Sequence, residues 1–147
     1  MFALDSNVLV YAADKGAQAK HVAASNIVHA ASGAEAALTE QSIMEFVNAT
    51  TRKVRLPFAD VLPFVREFQR NFELLLPSRT VVDDTLALLS RYQLSVFDAR
   101  ILAICGAHGC DYLLSEDLQD GARYGSVTVL NPFAPANSNL VAGLLMP

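Results

Sequence analysis

Cysteine and histidine are scarce in this chain of 147 residues, with two of the first and three of the second. Two cysteines are too few for a disulfide framework, and the Cys105–Cys110 spacing matches no zinc pattern. Both lie in an apolar stretch, so buried free thiols in a reducing cytoplasm are expected. His21, His29 and His108 stand in separate segments without metal-ligand spacing. The chain contains no GxSxG elbow and no GxGxxG or GxxxxGK[ST] phosphate loop. Serine hydrolases of the elbow type, dinucleotide binders and P-loop enzymes are thereby disfavoured. No window reaches the roughly 18 uncharged apolar residues of a membrane span. Asp5 interrupts the N-terminal apolar run and no basic region precedes it, so no signal peptide is expected.

Positive charge is also in short supply. Eleven Lys and Arg face fifteen Asp and Glu, for a net charge of −4 and a pI near 5.2. Such a balance argues weakly against a nucleic-acid binder, because phosphate neutralisation needs cations. A metal–carboxylate centre removes the objection, since a bound cation reverses the local field. With 52% hydrophobic and 18% charged residues, the chain should bury a substantial core and keep an apolar face for a partner.

Short apolar runs alternate with helical patterns along the chain. Strands are expected at residues 2–4, 36–38, 74–76, 112–114 and 127–130. The run 74–76 is read as buried. Helices are expected over 17–31, from a Thr39 cap to about Lys53, over 60–72 and 80–92, and over 97–108 with Gly109 as stop. Leu86, Leu89 and Tyr92 or Gln93 should form the inner stripe of the 80–92 helix. The strand runs are uniformly apolar, as in strands covered on both faces. An α/β three-layer fold with a mainly parallel sheet follows, over residues 1–133, with a packed or loose tail at 134–147. In such sheets, sites lie at the carboxyl ends of strands near a topological switch point.

Four acids stand out by position. Asp5 directly follows the first strand, and Asp117 follows the 112–114 strand by three residues. Asp98 opens the 97–108 helix, and Glu45 lies at the margin of an apolar helix face between Met44 and Phe46. Each has a plain structural alternative: a turn or helix cap for Asp5 and Asp98, an interhelical pair for Glu45, loop charge for Asp117. Four acids near one sheet edge would repel each other, and a hard cation such as Mg²⁺ or Mn²⁺ relieves that repulsion. Carboxylates without His or Cys partners suit phosphodiester hydrolysis better than zinc chemistry.

FALDSNVLVYA at 2–12, TEQSIMEFVNATTRK at 39–53, SVFDARILAICGAHGCDYLLSEDLQDG at 95–121 and VTVLNPF at 127–133 together resemble the PIN-domain family, and within it the VapC-like toxin ribonucleases. The resemblance implies an acidic quartet of Asp5, Glu45, Asp98 and Asp117 that holds Mg²⁺ or Mn²⁺. Asn7 and Ser115 match polar positions that support the quartet by hydrogen bonds, and Asp117 rather than Glu116 occupies the matching place. The same likeness implies single-stranded RNA cleavage by in-line hydrolysis, a protein antitoxin and a homodimer. Arg100, Asp120 and the tail are not fixed by the pattern.

Arg52, Lys53 and Arg55, three cations within four positions, are the first choice for contact with the RNA backbone; Arg66 and Arg70 come second. A solvated helix end explains the same cluster. Two other readings stay open, a catalytically inactive PIN-like interaction protein and a carboxylate–metal phosphatase for small phosphoesters.

Overall fold

Phe2–Leu4 forms a strand, β1, whose three residues are all buried. A three-residue strand with no polar side chain is stable only where both faces of its sheet are covered. The computed structural model, which describes residues 1–146, supplies that cover. After β1 come α1 (Ser6–Ala13), α2 (Ala19–Ala31), β2 (Ala36–Thr39), α3 (Glu40–Arg52), α4 (Phe58–Asn71), β3 (Glu73–Leu75), α5 (Val81–Arg91) and α6 (Val96–Ala107). The chain continues through β4 (Tyr112–Leu114), β5 (Arg123–Tyr124), β6 (Val127–Leu130) and α7 (Ser138–Leu144). The sheet order is β3-β2-β1-β4-β6-β5, parallel except for the β5–β6 pair.

Successive strand residues feed opposite faces. Phe2, Leu4, Leu38 and Leu114 pack with α1, α2, α3 and α4 through Val8, Leu9, Ile27, Phe46 and Phe68. Ala3, Ala37, Leu75 and Leu113 pack on the other side with Ile101, Leu102, Ile104 and Cys105 of α6 and, at the margin, Val81 and Leu88 of α5. Three layers result, as the uniformly apolar strand runs imply. β1 lies between β2 and β4, so the chain leaves β1 toward one edge and returns on its other side. The carboxyl ends of β1 and β4 are therefore the switch point of the sheet, where sites in such folds lie.

Several expectations are corrected. Residues 6–13 form α1, a helix with no counterpart among the expected elements; the run Val8-Leu9-Val10-Tyr11 carries no helical period of its own. α4 begins at Phe58, two residues before the expected start at 60, and runs through Pro63 to Asn71. β3 is an edge strand in which only Leu75 is buried, and the following Leu76 is 55% exposed. On α5 the inner side is Val81, Thr85 and Leu88, while Leu86 is 58% exposed. β5, two residues of antiparallel edge, was not expected.

Beyond Phe133 the tail packs against the first core through Leu144 and Leu145, with Val141 buried. Pro147 of the expected tail lies outside the described residues. Asp120 fastens this segment: its Oδ1 accepts from the Asn131 backbone N–H at 2.8 Å and from Asn137 Nδ2 at 2.8 Å. Asp120→Ala should leave the far-UV spectrum unchanged but speed limited proteolysis beyond Phe133. Equal cleavage rates in the two proteins would show that α7 holds without that anchor.

Candidate active site

Asp5 directly follows β1 and caps α1. Its extended backbone lets Oδ1 accept from the Ser6 backbone N–H at 2.6 Å, which satisfies one of the open donors of a helix start. Its Oδ2 accepts from Ser115 Oγ at 2.6 Å and from Asn7 Nδ2 at 3.1 Å. Ser115 is the residue after β4, so the two strands at the switch point meet through these side chains. Asn7 Nδ2 also reaches Ser115 Oγ at 3.0 Å and Asp117 Oδ2 at 3.1 Å. One amide thus bridges Asp5 and Asp117, two of the acids singled out by sequence.

Glu45 approaches from α3. Ser6 Oγ donates to its Oε2 at 2.9 Å and Gln41 Nε2 to its Oε1 at 2.8 Å. Gln41 is itself held, since its Nε2 also donates to the Phe97 carbonyl at 2.9 Å and its Oε1 accepts from Arg100 Nη1 at 2.7 Å. Arg100, left open by sequence, therefore orients Gln41 and pairs with Glu40 at 3.4 Å. Asp98 opens α6 in a reciprocal cap: its N–H donates to Ser95 Oγ at 3.1 Å, and that hydroxyl donates to Asp98 Oδ2 at 2.7 Å. No hydrogen bond joins Asp98 to the other three acids among the described residues.

Asp5 is only 7% exposed. Burial, opposed by the Ser115 and Ser6 hydrogen bonds and reinforced by the charges of Glu45 and Asp117, raises its pKa from 3.8 to about 6. Glu116 faces away from this cluster. It accepts from Tyr11 Oη and pairs with Lys20 at 2.6 Å. Burial works to raise its pKa, but Lys20 and Tyr11 outweigh burial and lower it. The neighbouring acids thus separate, Glu116 to a cation and Asp117 to Asn7.

Ser6, Gln41 and the Tyr11–Glu116–Lys20 group were missed by sequence reasoning. Only Gln41 left a signal, four residues before Glu45 on one helix face. Arg52, Lys53 and Arg55 are exposed, and no ion pair engages them among the described residues. They lie at and just beyond the far end of α3, about 10 Å or more along the helix from Glu45 at 1.5 Å per residue.

The PIN domain profile matches residues 2–120. The chain belongs to the PIN domain family. Among solved structures, a toxin–antitoxin complex from Klebsiella pneumoniae is similar at 20% identity, with TM-score 0.66 over 90% of this chain and 98% of that one. VapC20 from Mycobacterium tuberculosis, described as a toxin that cleaves the sarcin–ricin loop, is 11% identical with TM-score 0.64 over 77% and 87%. VapBC2 from Rickettsia felis, bound to a promoter DNA fragment, is 14% identical with TM-score 0.65 over 87% and 96%. At these identities the likeness is one of fold. No curated protein matches the chain in sequence. No helix among the described residues is long and apolar enough to cross a membrane.

The residues of this PIN domain fit a hard divalent cation in a particular way. Among the described residues, no three His, Cys, Asp or Glu side chains gather closely enough to hold one ion. Mg²⁺, however, commonly takes one or two carboxylates and keeps several waters. Asp5 and Asp117, linked through Asn7, offer two. The buried Oδ1 of Asn7 has no hydrogen-bond donor, and the waters of a hydrated ion are donors.

The raised pKa has a thermodynamic consequence. Between pH 4 and 6 the folded protein binds a proton at Asp5 that the unfolded chain has released, so stability falls as pH rises through that window. Two units correspond to about 3 kcal/mol lost by pH 7. Without metal, Asp5→Asn should therefore melt higher than wild type at pH 8, and the gap should close by pH 4. A gap independent of pH would contradict this account of Asp5.

Proposed function

We propose that this PIN domain is a Mg²⁺- or Mn²⁺-dependent endoribonuclease that cleaves single-stranded RNA and serves as the toxin of a toxin–antitoxin pair. The observation that carries this reading is Asp5: a carboxylate buried at the sheet's switch point, beside two other acids and with no cationic side chain bonded to it. As a structural group it destabilises the protein at neutral pH. As a ligand it becomes favourable once a cation is present.

Asp5 and Asp117 would hold the ion, with Glu45 and Asp98 at its margin. A divalent cation there supplies Lewis acidity toward a phosphoryl oxygen and lowers the pKa of water. Asn7 and Ser115 orient the two aspartates. With a cation held there, Asp5 would give up its proton, because a nearby positive charge favours the ionised form. Ser6 and Gln41 fix both oxygens of Glu45 and keep that carboxylate toward the site. Phosphodiester hydrolysis is the chemistry that suits an all-oxygen set of this kind, and RNA is the substrate that the family resemblance implies.

The fold likeness to toxin–antitoxin assemblies supports a protein antitoxin as partner. Exposed apolar residues on α4 and α5, among them Phe58, Val82 and Leu86, offer surface for it or for a homodimer.

Purified protein should cleave an unstructured RNA oligonucleotide only with added Mg²⁺ or Mn²⁺, and far faster than it hydrolyses a small phosphate monoester. Asp5→Asn should lower the rate at least about a hundredfold. Ser115→Ala, which removes a supporting hydrogen bond, should lower it roughly 10–100-fold. Turnover of the monoester alone would favour the phosphatase. Equal RNA cleavage by wild type and Asp5→Asn would place the activity elsewhere.

A further inference from the structure

Between α3 and α6 lies a cavity of about 270 Å³, lined by Met44, Asn48, Phe97 and Arg100 together with Gln41 and Glu45. It shares Glu45 with the candidate active site, and Phe97 is the chain neighbour of Asp98. Phe97 is 67% exposed and Met44 52% exposed, so neither side chain is committed to the core. The Asn48 amide has no hydrogen-bond partner among the described residues. Arg100 is ordered by Gln41 and Glu40, which leaves its planar guanidinium fixed at the wall.

The geometry points to a nucleobase subsite: this cavity takes one unpaired base of the substrate RNA next to the scissile phosphate. The inference rests on the ribonuclease reading above and adds the part of the substrate that the pocket reads. Charge decides between the parts of a nucleotide. Two carboxylates, Glu40 and Glu45, border the cavity against one guanidinium, so a phosphate is repelled from it. A base is neutral and planar, and it needs what the cavity offers. An aromatic ring and a thioether provide apolar faces for stacking, and a free amide can bond a base edge. Single-stranded RNA is recognised in this way, by bases stacked on aromatic side chains and hydrogen-bonded at their edges.

The test uses a short unstructured RNA that the protein cleaves at one position, and a series with single abasic residues around that position. For wild type, one abasic substitution should raise KM about tenfold, the size expected for one lost stacking contact. Phe97→Ala should raise KM for the intact RNA by a similar factor with kcat little changed. The same variant should lose its sensitivity to that one abasic position. Phe97→Trp should restore both. Because the abasic series is read on the wild-type protein, it stands even if a variant folds poorly. Cleavage with wild-type KM by Phe97→Ala, or indifference of wild type to every abasic position, overturns the subsite alone. A change in oligomeric state on Phe97→Ala without a change in KM also overturns it, and assigns the face to a protein contact. No RNA cleavage by wild type overturns the ribonuclease reading and the subsite with it.

Discussion

A carboxylate hidden from water must be compensated by its neighbours or give up its charge. At Asp5 the compensation is incomplete. Three donors reach it, from Ser6, Asn7 and Ser115, yet burial and the charges of Glu45 and Asp117 still raise its pKa to about 6. The surrounding architecture makes this arrangement hard to avoid. The chain changes direction beside β1 in the middle of the sheet, Asp5 follows that strand directly, and the helix that comes next needs a cap. The residue that meets all three demands is an acid held where bulk water cannot solvate it. Energy lost at such a position in the metal-free protein is available for binding a cation.

The neighbouring structure serves to keep the acids apart in role. Gln41, Arg100 and Glu40 form a chain from α3 to α6 that fixes Glu45. On the other side, Lys20 stacks over the rings of Tyr11 and Phe133 while pairing with Glu116. That contact draws Glu116 away and leaves Asp117 to face Asn7. Lys20, near the start of α2, thus separates the two adjacent acids, holding Glu116 while Asp117 bonds Asn7.

Much of this was legible in sequence, for identifiable reasons. β1 and β4 are unbroken apolar runs and β6 is broken only by Thr128, and a sheet covered on both faces accommodates them. Asp5 and Asp117 were recognisable because each follows such a run. α1 was not legible: Val8, Leu9 and Val10 are apolar on every side, as suits a helix wedged between the sheet and α2 and α3, and periodicity vanishes there. The α5 stripe was misassigned because Leu86 and Leu89 are apolar yet Leu86 faces outward, where surface for a partner and surface for the core look alike. At Asp98 the structure shows the cap. It closes a cap with Ser95, as a helix-opening aspartate does, next in the chain to Phe97 at the cavity between α3 and α6. The Tyr11–Glu116–Lys20 contacts span about a hundred residues of chain and left no local trace.

Proton release on metal binding tests the central claim most directly. Calorimetric titration of the protein with Mn²⁺, in buffers of different ionisation enthalpy, counts the protons set free. If Asp5 is the ligand, roughly three-quarters of a proton should leave at pH 5.5 and almost none at pH 8, given its pKa of about 6. The Asp5→Asn protein should bind more weakly and release none at either pH. Absence of Mn²⁺ binding, or binding whose proton count is the same in wild type and Asp5→Asn, would contradict the account.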